Sequence, residues 1–367
     1  NKKKISHNYL KEQFKDSNII FSKLKKLVKN ADFTLGTDVD NFEKKFAKLT
    51  GCKFAIGVGS GTDAIFLSLK VLGLGNGDEV ITTPYTFYAT IGAIVTAGCK
   101  PVFVDIKEDM NIDVDKIEKK ISKKTKAILP VHWSGRPCEM DKIKYIAKKH
   151  KIFIVEDACH SIKAKYKKRP TGSLGDLGCF SFHPLKNLNV WGDGGIITTN
   201  SQKLSNKLRL MRNHGLASRD DCVMFAYNSR LDTAQAIIAN YMLSKISHIT
   251  RKRIENSKYL DLKLQKIDQI RIPPRDKNII EVFHLYIIKC KNRNRLLKHL
   301  INHKIDAKIH YTKPMHLQKA AHYLNYKKGD FPIAEKTINQ IISLPVHEFV
   351  NKKDLNFMIN KIKEFYS

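Results

Sequence analysis

Three short segments hold residue types that catalysis would use and that packing alone does not require. The first, Gly57-Val58-Gly59-Ser60-Gly61-Thr62-Asp63-Ala64, follows a β-rich run and opens a helical one. Glycines there let a ligand approach the backbone, and the free amides and positive end of the helix favour a phosphate. A dinucleotide site would need a third glycine in step and an acidic residue further on; Asp78 stands near that place, but the third glycine is out of step. A tight structural turn is the alternative for this segment. The second, Val155-Glu156-Asp157-Ala158-Cys159-His160, ends an apolar run in an acidic pair. A carboxylate at the carboxyl end of a buried strand faces the ligand crevice, because the strand interior cannot solvate it. Asp157 is singled out on that ground, with capping of the next helix as its other role. The third, Ser181-Phe182-His183-Pro184-Leu185-Lys186-Asn187-Leu188, is followed by Gly192-Asp193-Gly194-Gly195. A lysine there, held in a Pro-restricted loop after a buried strand, would lose solvent and have its pKa lowered, as an amine nucleophile requires. The alternative is a lysine with its stem along the sheet edge and its ammonium in water.

A phosphate cradle, a strand-end carboxylate and a desolvated amine are what pyridoxal phosphate (PLP) needs for its phosphate, its pyridine nitrogen and its aldehyde. Each signal is modest alone, and together they point to one cofactor. The stretch between Asp157 and Lys186 leaves room for the loop Gly172-Ser-Leu-Gly-Asp176 and one strand.

The elements that must position these residues alternate along the chain. Apolar runs at Ala55–Val58, Glu79–Thr82, Pro101–Val104, Ala127–Val131, Ile152–Glu156, Cys179–Ser181 and Gly195–Thr199 suit strands covered on both faces. Helical spacing in Thr62–Leu72 and Met140–His150 separates them. This βα alternation predicts an α/β large domain with a mainly parallel seven-stranded sheet between helices. After Asn200 the pattern turns helical through Leu204–Met211, and a long helix starts near Thr233 and runs into the basic stretch Arg251–Arg253, where the domain boundary is placed. Residues 1–250 form the large domain on this reading. Residues 251–367 form a small α+β domain, with strands at Val282–Cys290 and Ala307–Tyr311 and helices at Arg295–His303 and Lys352–Phe365.

At 367 residues, with 42% hydrophobic residues, the chain can bury a sizeable core. Its 66 basic residues against 35 acidic ones give a net charge of +31. Lysines dominate and are scattered from Lys2 to Lys363, so a solvated surface is expected and no nucleic-acid face is. The summed field favours polyanionic ligands such as a nucleotide-linked substrate. The seven cysteines are far apart and lack metal-ligand spacing, which implies reduced thiols and no metal. No apolar stretch approaches the roughly 20 residues of a membrane span, and no secretory core follows Asn1, so a cytoplasmic protein is expected.

The chain resembles the DegT/DnrJ/EryC1/StrS family of PLP-dependent sugar aminotransferases, within the fold-type I aminotransferase superfamily. Matching segments run through nearly its whole length, among them Gly59-Ser-Gly61-Thr62-Asp63-Ala64, Gly77-Asp-Glu-Val80, Thr86-Phe87, Glu156-Asp157-Ala158, Gly172-Ser-Leu-Gly-Asp176, Lys186-Asn187-Leu188, Arg212-Asn-His-Gly215, Asn228-Ser-Arg230 and Pro314-Met-His316. The Ser-Phe-x-Pro-x-Lys-Asn loop with its Gly-Asp-Gly-Gly sequel is the most specific.

The resemblance implies that Lys186 binds the cofactor aldehyde and moves the proton between substrate and cofactor carbons. By the same resemblance, Asp157 keeps the pyridine nitrogen protonated, His160 faces the ring near its phenolic oxygen, and Phe87 stacks on the ring. Gly61, Thr62 and Ser181 would hold the phosphate, and Asn228 would reach it from a partner subunit, which implies a homodimer with shared sites. His183, Trp191, Arg230, Tyr311 and His316 are the candidates for the sugar side. Members that dehydrate their sugar carry histidine where Lys186 stands, so transamination is implied. Glutamate, leaving as 2-oxoglutarate, is the implied donor, and a keto-sugar on UDP, GDP or deoxythymidine diphosphate is the implied acceptor, for a surface polysaccharide or glycan. The departures Leu185, Asn189-Val190-Trp191, His132-Trp133-Ser134 and Ser229 bear on the substrate and not on the chemistry. Two rival readings remain: a catalytically silent PLP-binding regulatory protein, and a nicotinamide-dependent oxidoreductase built on the first glycine loop, which leaves Lys186 without a role.

Overall fold

A computed structural model describes residues 4–367. The apolar runs become seven strands: β1 (Phe54–Val58), β2 (Glu79–Thr82), β3 (Lys100–Phe103), β4 (Thr125–Ile128), β5 (Phe153–Asp157), β6 (Leu177–Ser181) and β7 (Gly195–Thr199). They form one sheet in the order β1-β7-β6-β5-β4-β2-β3. Only β7 runs antiparallel to its neighbours β1 and β6; the pairs β5/β6, β4/β5, β2/β4 and β2/β3 are parallel.

Successive side chains of a strand point to opposite faces, and both faces here are covered. Ala55, Phe180 and Ile196 pack under the helices Thr37–Thr50 and Thr233–Leu264. Ile81, Ile128 and Ile154 meet the helix Met140–His150 on that same face. Ile56, Val155, Cys179 and Ile197 pack on the opposite face against the helices Gly61–Val71, Tyr88–Thr96 and Gln202–Met211. The result is a three-layer α/β architecture, the predicted fold class.

The helix from Thr233 does not end at Arg253 but continues unbroken to Leu264. Its packing partners change along its length: Ile246 and Ile249 join the helices over the large sheet, whereas Ile254, Leu260 and Leu264 join the C-terminal core. That core surrounds a three-stranded antiparallel sheet of β8 (Ile270–Arg271), β9 (Tyr286–Cys290) and β10 (Ile341–Leu344), backed by the helices Arg293–Asn302 and Lys352–Tyr366.

Two C-terminal strands differ from expectation. The run Ala307–Tyr311 makes only an isolated bridge, Lys308 to Ser343. The chain turns away at Tyr311, whose φ of 61° lies in the left-handed region that non-glycine residues rarely adopt. The expected strand at Val282–Cys290 begins at Tyr286, after Phe283 with φ 48°. Among the described residues, no helix is long and apolar enough to cross a membrane.

Candidate active site

The carboxyl ends of β1, β5 and β6 open on a cavity of about 360 Å³, the place where parallel α/β sheets leave a crevice. Each end delivers one of the three segments.

After β1, Ser60 caps the helix Gly61–Val71, its hydroxyl accepting from the Asp63 amide at 3.0 Å. The amino end of that helix, with Gly61 and exposed Thr62, faces the cavity. A Cβ at Gly61 would lie 2.5 Å from Ser181 Cβ, so glycine is what lets the loop and β6 close into one cradle. The loop is braced from below, because Ser229 Oγ accepts from the Gly59 amide (3.2 Å) and donates to Asp63 (2.8 Å).

At the end of β5, Asp157 is buried at 5% exposure. Thr90 Oγ1 donates to Asp157 Oδ2 at 2.8 Å and the Cys159 amide donates to Oδ1 at 3.2 Å. Thr90 is itself bonded to Thr86 Oγ1 at 2.7 Å. The carboxylate is thus aimed by a threonine relay that sequence spacing does not reveal. Its neighbour Glu156 points the other way and organises structure: it accepts from the Gly172, Leu174 and Gly175 amides and pairs with His132 Nε2 at 2.8 Å. The loop Gly172–Asp176 is folded around this one carboxylate.

Past β6, Lys186 reaches back into the cavity, and among the described residues its Nζ has no hydrogen-bond or ion-pair partner. Burial holds its pKa below the ordinary value, opposed by Cys159 and Asp157. His160 forms the adjacent wall, with its ring 4.3 Å from that of His284 and 5.2 Å from that of Trp133. Burial, with the Lys186 charge adding to it, drives the His160 pKa well down, so the imidazole is neutral. Its Nδ1 is buried without a partner, and so is Nδ1 of His284. Phe87, half-exposed, stands at the mouth with Tyr311, ring centroids 5.8 Å apart.

These residues fit PLP. A helix terminus with open amides suits its phosphate, an aimed carboxylate suits its pyridine nitrogen, an unpartnered amine of lowered pKa suits its aldehyde, and the orphaned His160 nitrogen awaits a polar group.

Gly61, Thr62, Phe87, Asp157, His160, Ser181, Lys186, His183 and Tyr311 all line this one cavity. The other four predicted residues do not. Asn228 is exposed on a segment whose backbone bridges to Asn213, and Arg230 donates to Asn213 Oδ1 at 3.0 Å. Trp191 packs edge-on against Phe14 and exchanges hydrogen bonds with Gln235. His316 is buried at 1% exposure, where its Nε2 meets Glu335 at 3.0 Å and its ring meets Phe331; this pairing keeps it off the cavity. Sequence reasoning missed the outer wall altogether: His7 and Tyr9 from the amino-terminal segment, Arg253 from the long helix, and His284, Lys308, His310 and His347 from the C-terminal unit. The only signal available was the basic stretch Arg251–Arg253, which marks a boundary equally well.

A model of the DegT/DnrJ/EryC1/StrS aminotransferase family matches residues 15–363. The chain is 38% identical over 365 residues to the pleiotropic regulatory protein of Geobacillus stearothermophilus, with 99% of this chain and 97% of that protein covered. It is 35% identical over 343 residues to the dTDP-3-amino-3,6-dideoxy-alpha-D-galactopyranose transaminase of Aneurinibacillus thermoaerophilus, with 93% and 94% covered. Among solved structures, it superposes with a TM-score of 0.97 on S. venezuelae DesV in complex with a ketimine intermediate, at 31% identity and with 100% and 99% of the two chains covered.

Proposed function

The chain belongs to the DegT/DnrJ/EryC1/StrS aminotransferase family, and on that membership we propose that it moves an amino group from glutamate to a keto-sugar carried on a nucleoside diphosphate. Its chemistry is PLP-dependent transamination. The observation that carries the reading is the meeting, in one cavity, of the unpartnered low-pKa amine of Lys186 with the threonine-aimed carboxylate of Asp157.

When bound, the cofactor supplies an electron sink for the carbanion left as a proton departs. The chain's own residues do the rest. Lys186 Nζ would hold the aldehyde, and its free amine is placed to take a proton from the donor's α-carbon and pass it on. A lowered pKa leaves more of that amine unprotonated near neutrality, as both tasks require. Asp157 keeps a proton on the pyridine nitrogen, and Thr90 keeps Asp157 in line. Gly61, Thr62 and Ser181, at the helix terminus, would hold the phosphate, neutral His160 would offer a hydrogen bond toward the ring's phenolic side, and Phe87 would cover the ring.

His183 and Tyr311 line the sugar side. Asn228 is assigned to the site of a second copy, which makes the active unit a homodimer; its exposure supports this. The positive charges of the outer wall, Arg253 and Lys308, favour an acceptor bearing a diphosphate.

Borohydride added to the PLP-loaded protein should fix the cofactor's mass to the peptide carrying Lys186. In a separate, unreduced sample, glutamate should convert the absorbance to that of the pyridoxamine form, and one member of a panel of nucleotide-linked keto-sugars should reverse it. An adduct on another lysine would remove Lys186 from its role. A stable adduct with no response to glutamate would leave the silent regulatory reading in its place.

A further inference from the structure

Arg253 lies on the long helix at 3% exposure and lines the cavity, yet among the described residues no carboxylate is within ion-pair reach of it. Nη1 donates to the carbonyls of Phe283 (3.1 Å) and His284 (3.3 Å), and Nη2 donates to the Tyr9 hydroxyl at 2.7 Å. Its Nε is buried with no partner. Glu348 is bonded to Gln13 at 3.1 Å and not to the guanidinium. The carboxylates in the cavity wall are engaged or distant from this role: Asp157 is held by Thr90, and Asp193 is exposed. Nor do the nearby imidazoles bring charge at neutral pH. Burial takes His7 and His347 down to about 4 and His310 down to about 3.

The permanent charge of this wall is therefore that of Arg253, with half-exposed Lys308 beyond it, 3.7 Å from Asp306. A buried guanidinium without a counter-ion is costly, and its planar fork suits two oxygens of one oxyanion. Tyr9 orients that fork: its hydroxyl is a hydrogen-bond acceptor, its ring centroid lies 5.3 Å from the guanidinium carbon, and it stacks on His347 at 4.5 Å.

We infer that Arg253, clamped by Tyr9, is an oxyanion subsite in the outer wall of the cavity that binds an anionic group of a substrate. The identity of that substrate rests on the proposed function. The group is a carboxylate of the amino donor or a phosphate of the nucleotide carrier, which present the same chemistry to the fork.

The test measures, by calorimetry on the PLP-loaded protein, the affinity of two unreactive probes: glutarate, a dicarboxylate without an amine, and UDP. In Arg253→Gln, affinity for at least one probe should fall roughly ten- to a hundredfold, with the cofactor absorbance on Lys186 unchanged. In Arg253→Lys the fall should be smaller, because charge is kept and the fork is lost. Loss confined to glutarate assigns the donor's carboxylate, loss confined to UDP assigns the diphosphate, and loss of both assigns a shared subsite. If Arg253→Gln does not fold, Arg253→Lys and Tyr9→Phe carry the test. Unchanged affinity for both probes in the folded variants overturns the inference, as does failure of the parent protein to bind either probe. Transamination with glutamate is measured separately, so loss of the subsite and loss of the proposed activity are told apart.

Discussion

A desolvated amine is useful to the loaded enzyme and a burden to the protein without cofactor. Burial places the Lys186 pKa below its ordinary 10.5. Between the two values the unfolded chain holds a proton that the folded chain has shed, so stability rises with pH across that window and is lowest below it. Lys186→Met should therefore raise the thermal midpoint of the cofactor-free protein at neutral pH. The gain should shrink as pH approaches 10.5, which a melting series in alkaline buffers would reveal. The same substitution should cut the rate of the glutamate half-reaction by roughly 10²–10⁴-fold, measured in single turnover. Thr90→Val removes the hydroxyl that aims Asp157 while keeping its volume. It should lower kcat with little change in KM for glutamate, whereas a purely structural role would move the thermal midpoint and leave turnover intact.

Elements made of continuous apolar residues were legible, because a strand buried on both faces excludes most polar positions; all seven strands of the large sheet lie within three residues of their sequence positions. The short Ile341–Leu344 strand was not, since nothing in Ile-Ile-Ser-Leu separates a strand from a helix turn until Tyr286–Cys290 pairs with it. Of the site, Lys186, Asp157 and the glycine loop could be read because each sits at a strand end with a chemical signature. Thr90, Tyr9 and Arg253 could not, because only tertiary folding brings them to the cavity from a helix interior or from far along the chain. The Gly192–Gly195 run, a motif in the sequence, has a steric reason in the fold. A Cβ on Gly195 would stand 2.2 Å from the Ser60 carbonyl oxygen, so the first residue of β7 and the phosphate loop are packed backbone to backbone. Gly195→Ala should cost roughly 1–3 kcal/mol and weaken PLP retention on dialysis more than it weakens the fold.

For the whole molecule, the proposed shared sites predict complementation. Lys186→Ala and Asn228→Ala subunits, each inactive as homodimers, should recover roughly a quarter of normal turnover when mixed, since half the dimers then hold one intact site; no recovery would place Asn228 outside the partner's site. Acid should loosen the assembly of the amino-terminal segment with the C-terminal unit. Buried neutral His7, His347 and His310 have folded pKa values of about 4, 4 and 3. The unfolded chain takes up protons first, so stability present above pH 6.5 is lost as pH falls toward 4, and His347→Phe should flatten that decline in a melting series. We propose that the chain divides functionally near residue 250, but the division does not coincide with a break in the backbone. The helix Thr233–Leu264 passes through it as one rod of 32 residues. Anyone splicing halves from two relatives to trade their sugar preferences at residue 250 would cut that rod in mid-turn and divide its two packing faces between different parents. A graft joined in the turns after Leu264 would keep the rod whole, and Arg253 would then travel with the donor of the larger half.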